Sequence, residues 1–87
     1  MTYRIVLSAS ARRALTDDLP EAVAVACFEF IRGPLAEAPH CVGKPLRGPL
    51  QGRHCARRGE FRVIYRVDDG RVLVEAIAIQ HRRDAYR

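Results

Sequence analysis

Residues 61–79 limit what this chain can become more than any other stretch. Phe61, Val63, Tyr65 and Val67 alternate with Arg62, Ile64 and Arg66. A two-residue period gives a β-strand one apolar and one polar face, with both arginines on the polar side. Asp69-Gly70 follows as a hairpin signal, and Arg71–Ile79 supplies the returning strand. The hairpin needs cover on its apolar face. The chain has 87 residues to provide it, enough for one domain over residues 1–87 and too few for a two-domain enzyme.

The cover comes from upstream. Thr2–Leu7 reads as a strand, and Ser8 or Ser10 can cap a helix carrying Ala11, Ala14, Leu15 and Leu19. Pro20 ends that helix and suits the first turn of a second, with its buried stripe at Val23, Ala26, Cys27, Phe30 and Ile31. Gly33-Pro34 is its expected stop, and Leu35–Leu50 reads as loop. A strand over Gln51–Arg58 completes the order β-α-α-β-β-β. The expected fold class is α+β: a small antiparallel meander with an N-terminal helical hairpin packed on one face.

Charge separates the two halves of the chain. Residues 1–43 carry four basic and five acidic side chains, net −1, and residues 44–87 carry eleven basic and five acidic, net +6. Fourteen of the fifteen basic residues are arginine, the side chain best shaped for bidentate phosphate contact. The second half is therefore expected to meet something anionic. Arg53, Cys55 and Arg57 alternate in the strand before Arg62, and antiparallel pairing can gather them on its face. A cluster of arginines repels itself and is best tolerated when an anion visits. The tail 80–87 adds His81 and Tyr86, two groups able to move protons, among three arginines.

Other chemistry is thinner. Cys27, Cys41 and Cys55 are an odd set without CxxC spacing, which argues against a disulfide framework or a metal site. Cys27 reads as core, and Cys55 has no clear partner for a nucleophilic role. His40 reads as structural and His54 as partly buried. No apolar run is long enough to span a bilayer, and the chain is expected to be cytoplasmic.

The segments Gly33-Pro34-Leu35, Lys44-Pro45-Leu46-Arg47-Gly48, Ala56–Tyr65 and His81–Tyr86 resemble the RelE/ParE toxin superfamily, with the closer likeness to RelE-type toxins of bacterial type II toxin–antitoxin systems. The likeness covers nearly the whole chain. It implies a ribosome-dependent mRNA interferase that cuts the A-site codon through the ribose 2′-hydroxyl, needing no metal or cofactor. On that pattern Arg62 would stabilise the pentacoordinate phosphate and Arg82 would assist it, with Tyr86 or His81 as base. Arg53 and Arg57 match basic strand positions, and Arg58, Lys44, Arg47 and Arg83 would add RNA contacts.

On that resemblance Cys55 stands where the family often has lysine, Phe61 replaces a tyrosine, and no further C-terminal helix is expected. The implied partners are the ribosome with its mRNA and an acidic RelB-like antitoxin whose helix lies in an apolar groove. The complex would bind operator DNA through the antitoxin. Two rival roles share the same scaffold. One is a ParE-type DNA gyrase inhibitor. The other is a catalytically weak toxin acting as antitoxin partner and operon co-repressor.

Overall fold

The computed structural model describes residues 2–81. β1 (Arg4–Leu7) leads into α1 (Ala9–Arg13), whose backbone then widens into a π-helical turn over Ala14–Asp18. The Ser8 hydroxyl caps α1 by accepting the Ala11 N–H at 3.0 Å, as expected of a short polar side chain at that position. α2 (Glu21–Phe30) follows Pro20. It does not stop at Gly33-Pro34 as expected: a second π-helical turn carries the chain through Ile31–Leu35. That turn keeps Ile31 and Leu35 buried with Val23, Cys27 and Phe30. Ala26, expected in the stripe, is exposed.

The expected loop over Leu35–Leu50 holds more order than its prolines suggest. It contains α3 (Pro39–Val42), a two-residue edge strand β2 (Lys44–Pro45) and a 3₁₀ turn at Gly48–Leu50. β3 (His54–Arg58), β4 (Phe61–Asp68) and β5 (Leu73–His81) then form the antiparallel centre of a five-stranded sheet, in the order β1-β5-β4-β3-β2. The expected antiparallel meander needs one correction. β1 lies parallel to β5, with Arg4 opposite Leu73 and Leu7 opposite Ala76. The helical hairpin between the first and last strands makes that return possible.

The β4–β5 hairpin also departs from a tight Asp69-Gly70 turn. Asp68 pairs with Leu73, leaving a four-residue connection. The Asp68 carboxylate accepts the Arg71 N–H at 3.1 Å, and Val72, rather than Gly70, takes the positive φ of 52°. Farther up the hairpin the ladder slips. Ile64 pairs with Ala78 but Tyr65 with Ala76, so Ile77 is an extra residue bulged out of β5. The Ser8 hydroxyl donates to the Ile77 carbonyl at 2.5 Å, so the same side chain caps α1 and satisfies the bulge.

The helices cover one face of the sheet. Ala56, Val63, Tyr65, Val74 and Ala76, all fully buried, line that face against Ala11, Cys27 and Ile31. Burial raises the Cys27 thiol to about 12, consistent with an inert core cysteine. Tyr65 is the largest fully buried side chain, and its hydroxyl donates to the Pro39 carbonyl at 2.5 Å. Burial, with smaller effects from Cys55 and Cys41, pushes its phenol up to about 12 and keeps it protonated. Gly43 passes directly over this group. A Cβ there would collide with Tyr65 Oη and lie 2.9 Å from the Cys55 carbonyl oxygen. Only glycine lets β2 reach the sheet edge so closely.

Candidate functional site

The sheet face turned away from the helices carries the polar row of β4. Arg62 lies directly between Arg57 on β3 and Gln80 on β5. Like charges directly opposite each other are destabilising, so the Arg57–Arg62 pair is a local cost the sheet must carry. The Arg62 guanidinium is half-buried and donates from Nε to Gln80 Oε1 at 2.6 Å. Among the described residues neither Arg57 nor Arg62 makes an ion pair. The next row on this face holds Ile64 between Cys55 and Ala78, and Lys44 sits across from Cys55 on the edge strand. A cation thus lies one strand over from Cys55.

The structure therefore brings together Arg57, Arg62 and, one row away, Lys44. It separates others. Arg47 and Arg53 are exposed in the connection between β2 and β3. Arg58 lies on the helix side, with its guanidinium 4.9 Å from the centre of the Phe30 ring, a cation–π contact. His81 pairs with Phe61, whose side chain faces the helices, so the register places it on the other side from Arg62. Arg82, Arg83 and Tyr86 lie outside the described residues. Sequence reasoning missed Gln80. Strict alternation along β5 groups it with the buried Val74 and Ala76, and only the bulge at Ile77 turns it outward.

The opposite end of the sheet holds a second polar cluster. Asp69 Oδ1 accepts the Tyr3 hydroxyl at 2.7 Å and lies 2.9 Å from His40 Nε2. These two hydrogen bonds, that to His40 the stronger influence, hold the Asp69 carboxyl below its ordinary range. The His54 ring stacks on Tyr65 with centroids 5.4 Å apart and meets His40 edge-on at 5.8 Å. Burial first, and the charge of His40 second, lower the His54 pKa. His40 and His54 thus behave as the structural and partly buried residues the sequence suggested. Among the described residues no group of three or more His, Cys, Asp or Glu side chains could hold a metal ion.

Two apolar grooves flank the helices. One, about 740 Å³, runs between α1 and α2 past Leu15, Leu19, Val25 and Phe28. The other, about 560 Å³, lies between α2 and the β3–β4 turn, bounded by Phe30, Pro34, Arg58 and Phe61. Val25 and Phe28 are exposed. Among the described residues no helix is long and apolar enough to cross a membrane.

No family model matches the chain. Individual proteins do. Toxin RelE of Mycobacterium tuberculosis is 51% identical over 85 residues, spanning 98% of this chain and 87% of that protein. Toxin RelG of the same organism is 42% identical over 87 residues, spanning 100% of this chain and 99% of that protein. The crystal structure of the M. tuberculosis toxin–antitoxin complex RelBE2 superposes with a TM-score of 0.91 at 40% identity, covering 94% of this chain and all of that one. Identity at this level over the whole chain, together with the shared sheet and helical hairpin, places the chain in the RelE toxin family.

Proposed function

We propose that this chain is the toxin of a toxin–antitoxin pair and cleaves mRNA in the ribosomal A site. The observation that carries the reading is the Arg57–Arg62 pair: among the described residues these two adjacent cations have no carboxylate partner and no helix covers their sheet face. A self-repelling pair of this kind is relieved by a phosphate. Cleavage needs a base to take the ribose 2′-proton. The 2′-oxygen then attacks the adjacent phosphorus, and the 5′-oxygen leaves as it gains a proton. Negative charge grows on the phosphoryl oxygens in the transition state, and the Arg62 guanidinium is the group set to stabilise it.

Arg57 and Lys44 would hold neighbouring phosphates, with Arg53, Arg47 and Arg83 as further contacts. Arg82 would support the departing oxygen. The register of His81 on the Phe61 side favours Tyr86 as the base. The partner is an acidic antitoxin, supported by the crystallisation of the RelBE2 relative as a toxin–antitoxin complex and by the exposed groove at Val25 and Phe28. The pair would bind operator DNA through the antitoxin.

The test is primer extension on mRNA after incubation with programmed ribosomes and purified toxin. New ends mapping to the A-site codon, lost in Arg62→Ala, are the expected result. No cleavage, with inhibition of gyrase supercoiling instead, would replace this reading with the gyrase one. No activity in either assay would leave a co-repressor.

A further inference from the structure

We infer that Gln80 is a positioning residue for Arg62, holding the guanidinium in place for phosphate without neutralising it. The inference rests on the cleavage reading above and assigns a role to a side chain that contacts no substrate.

Two cross-strand clamps on β4 and β5 carry the argument. Arg66 and Glu75 are directly opposite, with Arg66 Nε 3.3 Å from Glu75 Oε1. Arg62 and Gln80 are directly opposite, with Nε donating to Oε1 at 2.6 Å. The same arginine atom meets a side-chain oxygen in both. The carboxylate of Glu75 cancels the charge it holds; the amide of Gln80 does not. A free arginine side chain samples many rotamers, and an Nε hydrogen bond removes much of that freedom before any ligand arrives. Engaging Nε also commits the guanidinium to present its two terminal nitrogens end-on, a geometry that matches two phosphoryl oxygens. Gln80 reaches this face only because Ile77 is bulged, and the Ser8 hydroxyl satisfies that bulge.

The experiment uses the full chain, made by cell-free synthesis, in single-turnover cleavage on programmed ribosomes. Gln80→Ala should lower the rate at saturating toxin by about tenfold, the size of a lost charge-assisted hydrogen bond, with the half-saturating concentration little changed. Gln80→Glu keeps the acceptor but adds a charge, and should instead raise the half-saturating concentration. In an Arg62→Ala background, Gln80→Ala should have no further effect. The melting temperature of each variant should match the parent. The Arg62 Nε–H NMR signal should be protected from exchange in the parent and lose protection in Gln80→Ala.

A Gln80→Ala protein that cleaves like the parent overturns the inference, as does one that loses activity equally with and without Arg62. A parent that cleaves nothing overturns the cleavage reading itself, and the positioning role falls with it. The NMR signal then still reports whether the clamp exists.

Discussion

The sheet has two ends built from the same strands, and they handle charge in opposite ways. Toward the β4–β5 turn, Arg66 is paired with Glu75, Arg71 lies 3.9 Å from Asp68, and Asp69 gathers Tyr3 and His40. Near the β3–β4 turn, Arg57 and Arg62 sit side by side, and the one polar partner among the described residues is the uncharged Gln80. The first end is arranged for the folded chain alone. The second carries a repulsion that no carboxylate among the described residues relieves. A small domain has few kcal/mol to spare, so such a cost points to function rather than stability.

The strongest way to break this comparison is to remove one arginine from each end. Arg62→Ala should cut single-turnover mRNA cleavage by about 10²–10³-fold, the usual cost of losing a group that stabilises transition-state charge, with no loss of melting temperature. Arg66→Ala should change cleavage by less than about threefold and stability by about 0–1 kcal/mol, as for an exposed ion pair. Similar losses from both would dissolve the distinction between the ends.

Gly43→Ala tests whether the edge strand that carries Lys44 depends on its close approach to Tyr65. The added methyl meets Tyr65 Oη and the Cys55 carbonyl, so destabilisation of about 1–3 kcal/mol should appear in denaturant unfolding. An unchanged midpoint would show that β2 can shift at little cost.

Glu75→Gln converts the neutralised clamp into a copy of the Arg62–Gln80 clamp. Stability should change by less than about 1 kcal/mol, while non-specific RNA binding should become steeper in salt by roughly one phosphate contact. Absence of any salt effect would mean that the charge at this end never reaches RNA.

The smallest effect is on pH dependence, and it belongs to the Asp69 end. The folded pKa of His54 is below its ordinary 6.5, so protonation favours the unfolded chain. Its contribution is therefore full above about pH 6.5 and declines as pH falls through that value toward the folded pKa. Asp69 has a lowered folded pKa, so its contribution persists above the ordinary 3.8 and is lost as pH falls through the folded value. Melting temperature on acidification should decline in two stages. His54→Phe should flatten the first and Asp69→Asn the second; a slope near pH 6 that survives in His54→Phe would contradict the assignment.

The β4 alternation was legible because a two-residue period is local: Phe61, Val63 and Tyr65 face the helices and leave Arg62 and Arg66 on the other side. The pairing of Arg57 with Arg62 was legible for the same reason, since the Gly59-Glu60 turn is short and fixes register. The Ser8 cap was legible from side-chain chemistry. The short elements between Leu35 and Leu50 were not. β2 has only two residues and exists because Gly43 lets it approach β3, a tertiary fact.

The sequence by itself thus determined four of the five strands, which face of β4 is apolar, and that a phosphate-seeking charge gathers in the second half of the chain. Periodicity and composition are properties of neighbouring residues, so they need no fold to be read. Tertiary structure alone decided that β1 runs parallel to β5, that Arg58 turns back over Phe30, and that Gln80 faces Arg62 while His81 faces the helices. The last depends on one bulged residue, Ile77, whose carbonyl is held by Ser8, 69 positions away in the chain. Such a contact exists only when both ends of the chain meet, and no local pattern encodes it.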